Sequence, residues 1–203
     1  MASRELREVD VAAAPMDEVA RWIGEAQAAA VPDWDAMVVA TTGAVGAPSA
    51  RLVLLRGFDE QGFCFYTNHD SEKGRDLAEN PRAAIVLHFR EQGRQVRAKG
   101  PVVRLSAEES TAYWENRPPA SQISAWASRQ SEPIADRAAL EAAVAQVQAR
   151  FGDGADVPIP PFWGGYRVEP DEVELWQHRD DRLHDRLRYR RTAEGWLLER
   201  LQP

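Results

Sequence analysis

From residue 37 to residue 200 the chain is a series of short apolar runs, each closed by glycine or by a polar turn. Met37–Thr42, Ala50–Leu55, Phe63–Thr67, Ala83–Phe89 and Gln95–Leu105 are strand-length and rich in β-formers. Gly165–Val168, Glu172–Gln177, Leu183–Arg190 and Trp196–Arg200 continue the series. Turns are marked by Gly43 and Gly46, by Phe58-Asp59-Glu60-Gln61-Gly62 and by Gly93. Many short strands joined by tight turns point to antiparallel pairing in a barrel or sandwich. A doubly wound parallel sheet is excluded because the helices do not alternate with the strands. The expected class is mainly β with peripheral helices (α+β), with Greek-key-like antiparallel strands.

Helical signals are few and local. Pro15 opens a 3.6-residue period through Met16, Val19, Ala20, Ile23, Ala26 and Ala30, which Pro32-Asp33 ends. Ser71 is placed to cap a short helix that runs to Asn80-Pro81. Ser106-Ala107-Glu108-Glu109 is a capping box before a helix through Tyr113 and Trp114, which Pro118-Pro119 stops. Asp136 caps another, with Leu140, Val144, Val147 and Phe151 on one stripe. Gly152 to Pro161 is expected to be a loop, and residues 1 to 14 are weakly patterned. This divides the chain into an N-terminal extension and helix, residues 1–32, and one barrel domain, residues 33–203.

Composition narrows the function. A formal net charge of −7 argues against general affinity for nucleic acid. The single cysteine, Cys64, lies in an apolar run and reads as core. No apolar stretch approaches the roughly 20 residues of a membrane-spanning helix, and Met1-Ala2-Ser3-Arg4-Glu5 carries no apolar signal region. A cytoplasmic protein with no membrane partner is expected. There is no P-loop, no G-x-G-x-x-G after a strand, no G-x-S-x-G, no H-E-x-x-H and no zinc-site spacing. That leaves the difficult chemistry to an organic cofactor.

Four segments hold the residues suited to such a ligand. In Arg51-Leu52-Val53-Leu54-Leu55-Arg56 two guanidinium groups, each a fork that fits phosphate, bracket an apolar strand. Their spacing of five points them to opposite faces of an ideal strand, and two solvated strand-end charges are the competing reading. Tyr66-Thr67-Asn68-His69-Asp70-Ser71-Glu72-Lys73 runs into a helix N-terminus, where free N–H groups attract anions and Glu72 opposes them. Tyr113 and Arg117 share a helix face ahead of Ser121. In Arg182-Leu183-His184-Asp185-Arg186 a strand would place Arg182, His184 and Arg186 on one face, backed by Leu183 and Leu187 on the other and preceded by Trp176. A basic row holding one imidazole beside a tryptophan reads as a ligand site.

In this order, these segments resemble the pyridoxamine 5'-phosphate oxidase family. The resemblance extends over about residues 33–203 through Arg94-Gln95-Val96-Arg97, Asn116-Arg117-Pro118, Ser128-Arg129-Gln130-Ser131, Phe162-Trp163-Gly164-Gly165-Tyr166 and Glu174-Leu175-Trp176-Gln177. It implies an FMN-binding split β-barrel that forms a homodimer with FMN at the interface. It also implies oxidation of pyridoxine or pyridoxamine 5'-phosphate to pyridoxal 5'-phosphate, with O2 as acceptor and H2O2 as product. By resemblance Arg51, Leu52, Val53, Leu54, Leu55, Arg56, Tyr66, Thr67, Lys73, Gln95, Gln130, Ser131, Trp176 and Arg186 contact FMN. Arg56, Tyr113, Arg117, Ser121, Arg182 and His184 hold the small phosphorylated pyridine, and Arg182 and His184 are the catalytic pair. Arg56 stands where the family usually has lysine, and Glu72 where it usually has arginine. The tail from Arg182 also resembles the phenazine-biosynthesis flavin oxidases, and a non-catalytic binder of FMN or pyridoxal phosphate is a further alternative.

Overall fold

A computed structural model describes residues 5–152 and 157–203. Residues 1–4, and part of the loop expected over 152–161, lie outside the described residues. Helix α1, Pro15–Ala28, comes first. Strands β1 (Ala36–Thr42), β2 (Pro48–Leu54), β3 (Gly57–Asp59) and β4 (Gly62–Asn68) precede α2 (Glu72–Glu79). Strands β5 (Arg82–Phe89) and β6 (Arg94–Arg104) lead to three helices, α3 (Ala107–Glu115), α4 (Pro119–Ala127) and α5 (Arg137–Phe151). The chain closes with β7 (Trp163–Val168), β8 (Glu172–Gln177), β9 (Asp185–Thr192) and β10 (Gly195–Arg200).

All strand pairs are antiparallel. The main path runs β10-β9-β8-β6-β5-β1-β2; β7 branches from β6 and pairs in turn with β4, which pairs with β3. The branch makes the split barrel. The first part of β6, Arg94–Lys99, pairs with β8, and its last part, Val102–Arg104, pairs with β7. The strand changes sheets at Gly100-Pro101. A Cβ at Gly100 would collide with the Glu169 carbonyl, so only glycine allows this approach.

Alternation along β1 and β5 sends Met37, Val39, Ile85, Leu87 and Phe89 inward, where they meet Phe63 and Phe65 of β4. Trp22 and Ile23 of α1 are fully buried in that same core. Each such aliphatic or phenyl side chain contributes roughly 1.5–3 kcal/mol by leaving water. A second cluster, around Trp114, Ile123 and Trp163, lies under the three middle helices.

Three sequence expectations change. Phe58 and Asp59, read as turn, belong to the short strand β3, leaving Glu60-Gln61 as the turn proper. Pro118-Pro119 ends α3 but also starts α4, with Pro119 in the first turn, where its missing N–H costs nothing. The last strand pair begins at Asp185, not Leu183. Ser71 and Ser106 cap α2 and α3 as expected, the latter with both bonds of a capping box. No helix among the described residues is long and apolar enough to cross a membrane.

Candidate functional site

Helix α2 turns its second residue inward. Lys73 is only 6% exposed, and its ammonium donates to Gln130 Oε1 (2.8 Å), Thr67 Oγ1 (3.2 Å) and Ser71 Oγ (3.4 Å). All three partners are neutral, and no carboxylate among the described residues lies within ion-pair distance of it. Burial, followed by the nearby charge of Arg51, lowers the Lys73 pKa to about 8, while Glu72 opposes the shift. Arg51 reaches this region from β2. It donates to Thr41 Oγ1 (2.6 Å) and Ser49 Oγ (2.7 Å), with Glu72 Oε2 at 3.4 Å. Lys73, a buried cation with no ion-pair partner among the described residues, fits a phosphate dianion beside the Arg51 guanidinium, which Thr41 and Ser49 hold closely and which Glu72 (3.4 Å) and Asp76 (3.9 Å) pair at longer range. Thr67 and Gln130 bond each other at 2.8 Å and complete the cradle. Ser131 follows in a left-handed turn, φ 74°.

The next wall is aromatic. Pairing of β4 with β7 sets Tyr66 opposite Gly165 and Asn68 opposite Trp163. A Cβ at Gly165 would stand 2.8 Å from the Tyr66 ring, so the glycine lets that ring lie flat against the strand. Tyr66 stacks on Tyr113 with centroids 3.9 Å apart and planes 9° apart, and Trp163 lies 5.5 Å from Tyr66. Burial pushes the Tyr66 phenol up to about 12, so it stays protonated.

Arg117, at the end of α3, lies 4.8 Å over the Trp163 ring and donates to the Ser121 carbonyl at 3.1 Å. Burial, then the charge of Arg56, lowers its pKa, against an opposing effect of Tyr113. Arg56 itself pairs with Asp35 at 2.8 Å. Tyr66, Thr67, Arg117, Ser121, Gln130 and Trp163 line one cleft of about 360 Å³. The parity conflict between Arg51 and Arg56 is resolved because β2 ends at Leu54, which frees Arg56 from the strand's alternation. Within that segment Val53 packs against the core and Leu55 is buried, whereas Leu52 and Leu54 face outward.

The remaining expected residues form a separate group. Gln95 of β6, Trp176 of β8 and Arg186 of β9 are direct cross-strand neighbours. Arg186 donates to Glu174 Oε1 at 2.8 Å and to the Gln202 carbonyl at 3.0 Å. Arg182 and His184 do not share a strand face with Arg186. Gln177, the last residue of β8, pairs with Asp185, so residues 178–184 form the connecting loop. Arg182 takes φ 65°, and Leu183 is exposed instead of backing the row, whereas Leu187 is buried. His184 is held otherwise: its Nδ1 accepts the Arg179 N–H at 3.0 Å and its ring lies 4.6 Å from Trp176 and 5.2 Å from His178. With Nδ1 accepting, the neutral imidazole carries its proton on Nε2.

The start of β9 is tied to the N-terminal segment. Asp185 accepts from the Leu6 N–H (3.2 Å) and from Arg200 (2.9 Å), which also pairs with Glu8 (2.7 Å). Sequence reasoning missed Asp185 and Trp163 as site supports. For Trp163 the signal was the adjacent Gly-Gly pair.

The two groups lie on different parts of the sheet, with β6, β5 and β1 between β8 and β2. No hydrogen bond, ion pair or ring contact among the described residues joins the sets centred on Lys73 and Trp176.

Comparison with known proteins gives a consistent result. Residues 23–151 match a family model described as pyridoxamine 5'-phosphate oxidase. Residues 163–203 match the pyridoxine 5'-phosphate oxidase C-terminal dimerisation region. Relatives named pyridoxine/pyridoxamine 5'-phosphate oxidase include that of Herminiimonas arsenicoxydans, 51% identical, with 100% of this chain and 95% of the relative covered. That of Bordetella avium (strain 197N) is 53% identical, with 98% and 93% covered. Among solved structures, PhzG from Burkholderia lata 383 in complex with tetrahydrophenazine-1-carboxylic acid is 35% identical, with TM-score 0.92 and coverage of 100% and 99%. A pyridoxamine 5'-phosphate oxidase-related, FMN-binding protein from Nostoc punctiforme PCC 73102 shares the fold, with TM-score 0.74 at 20% identity and coverage of 96% and 99%.

Proposed function

This chain belongs to the pyridoxamine 5'-phosphate oxidase family, and we propose that its two groups of side chains serve one flavin site assembled between two copies. It is an FMN-dependent oxidase that converts pyridoxine or pyridoxamine 5'-phosphate to pyridoxal 5'-phosphate. The observation that carries the substrate reading is a second cation in the cleft that Tyr66 lines. Lys73 with Arg51 suits the cofactor phosphate, and Arg117, which shares that cleft with Tyr66 and Ser121 and feels the charge of the Asp35-paired Arg56, suits a second phosphate, that of the substrate.

Thr67, Gln130 and Ser131 add donors to the first site, with Leu52–Leu55 and Tyr66 along the cofactor. Gln95, Trp176 and Arg186 belong to the group that the partner subunit would bring. Bound FMN supplies the two-electron acceptor, and O2 carries the electrons on to H2O2. The alcohol substrate and O2 give aldehyde and H2O2; the amine also consumes water and releases ammonia. Tyr113 and Ser121 help hold the substrate with Arg117, Arg182 orients it, and the His184 Nε2 proton is available to its polar substituents.

The test is direct. Purified protein should be yellow and should form peroxide and pyridoxal phosphate from each B6 phosphate. Colourless protein that ignores added FMN would overturn the flavin assignment. Tight FMN with oxidation of a reduced tricyclic carboxylate of the kind bound in the PhzG structure, and of neither phosphate, would favour the phenazine-type flavin oxidase alternative instead.

The dimer surface follows from β2, which is an edge strand with Leu52 69% and Leu54 47% exposed. An uncovered apolar edge of this kind invites pairing with a second chain. Leu52→Glu should raise the dimer dissociation constant by at least about 100-fold, since burying a leucine contributes roughly 1.5–3 kcal/mol per protomer and both copies lose it. Sedimentation velocity reads this, and an unchanged dimer would place the interface elsewhere.

A further inference from the structure

We propose that Trp163 is a positioning residue for substrate phosphate: its indole face seats the Arg117 guanidinium and aims it without consuming its charge. The inference rests on the substrate reading above. Arg117 makes no ion pair among the described residues. Its Nε is buried without a hydrogen-bond partner, and the guanidinium is otherwise met by the Ser121 carbonyl at 3.1 Å and by the neutral Tyr113 hydroxyl. An arginine in that state needs something to orient it. A carboxylate would do so, but would then compete with phosphate for the same donors. An aromatic face does not compete, because it attracts the cation through the ring quadrupole and leaves the N–H fork free.

Trp163 is built for that task. It is 6% exposed and sits on β7, paired with Asn68. Its ring is confined by Tyr66 at 5.5 Å, Tyr113 at 6.1 Å and the edge-on Trp114 at 4.9 Å. The guanidinium carbon lies 4.8 Å from the Trp163 centroid and 5.7 Å from that of Trp114, so Trp163 is the nearer seat. The planes of Tyr66, Tyr113 and Trp163 agree within 13°. The shelf that seats Arg117 therefore continues into the stacked pair of tyrosines.

The experiment compares Trp163→Phe and Trp163→Leu in the FMN-loaded protein. Three quantities are measured: pyridoxal phosphate binding by its absorbance, inhibition by inorganic phosphate, and KM and kcat for pyridoxamine phosphate. Trp163→Leu should weaken pyridoxal phosphate and inorganic phosphate in parallel, by about 3- to 30-fold. KM should rise with kcat nearly constant, FMN content should not change, and Phe should recover part of the loss. In an Arg117→Ala background the Trp163→Leu effect should vanish. An undiminished effect in that background, or loss of kcat with KM unchanged, overturns the proposal. If Trp163→Leu does not fold, Trp163→Phe carries the same comparison with a smaller shift. Failure of the unmodified protein to bind pyridoxal phosphate would instead sink the substrate reading.

Discussion

His184→Ala and Arg182→Ala are expected to lower kcat/KM for either B6 phosphate by about 100-fold or more, the range for losing a positioned proton-bearing or orienting group. FMN content should stay close to that of the unmodified protein. The division follows from where the residues sit. Gln95, Trp176 and Arg186 are fixed in the β6-β8-β9 ladder, whereas His184 and Arg182 lie on the loop after β8. Removing the imidazole breaks its contact with the Arg179 N–H and a ring packing, and leaves the ladder intact. Arg182 offers an internal control because its φ is 65°. Arg182→Gly relieves the left-handed backbone and Arg182→Ala does not, yet both lose the guanidinium. Equal losses in the two variants assign the effect to the side chain. Steady-state peroxide release and flavin absorbance after gel filtration read the two functions separately, and a parallel loss of FMN would refute the division of roles.

Local features were legible in the sequence because their causes are local. Ser71 and Ser106 cap their helices through atoms three residues away, and alternation in Met37–Thr42 and Ala83–Phe89 sets which side chains enter the core. The end of a pairing ladder is not local. The alternation in Arg182–Arg186 suits a strand, but β8 gives out at Gln177, and its partner register starts β9 only at Asp185. Pro119 was ambiguous for a similar reason: proline stops one helix and starts another with the same geometry. The site shows the same limit. Residue types alone mark Arg56, Lys73 and Arg117 as anion-binding candidates, whereas Gln130 came only from the resemblance. That Lys73 meets Gln130 across 57 positions depends on α2 and the loop after α4 packing together. Family resemblance, not spacing, supplied that grouping, and Trp163 fell outside it because its contribution acts through Arg117.

The cofactor phosphate should depend most on Lys73. Lys73→Met keeps the chain length and removes the charge, and should raise the FMN dissociation constant by about 10- to 100-fold, the worth of one charge-assisted hydrogen bond of roughly 1.5–3 kcal/mol. Its buried ammonium has only hydroxyl and amide oxygens around it, so no neighbour would be left as an unpaired charge. The pH dependence has a definite sign. The FMN-free protein holds the Lys73 proton only up to about pH 8, and a bound dianion favours the protonated form. Below about 8 the group is already charged and affinity does not vary with it. Above 8 binding must take up a proton, so affinity falls by up to about tenfold per pH unit until the pKa in the complex is reached. Titrating FMN by fluorescence quenching from pH 7 to 10 should show this decline in the unmodified protein and its absence in Lys73→Met. The same decline in both proteins would mean that Lys73 is a structural cation and that the phosphate is held elsewhere.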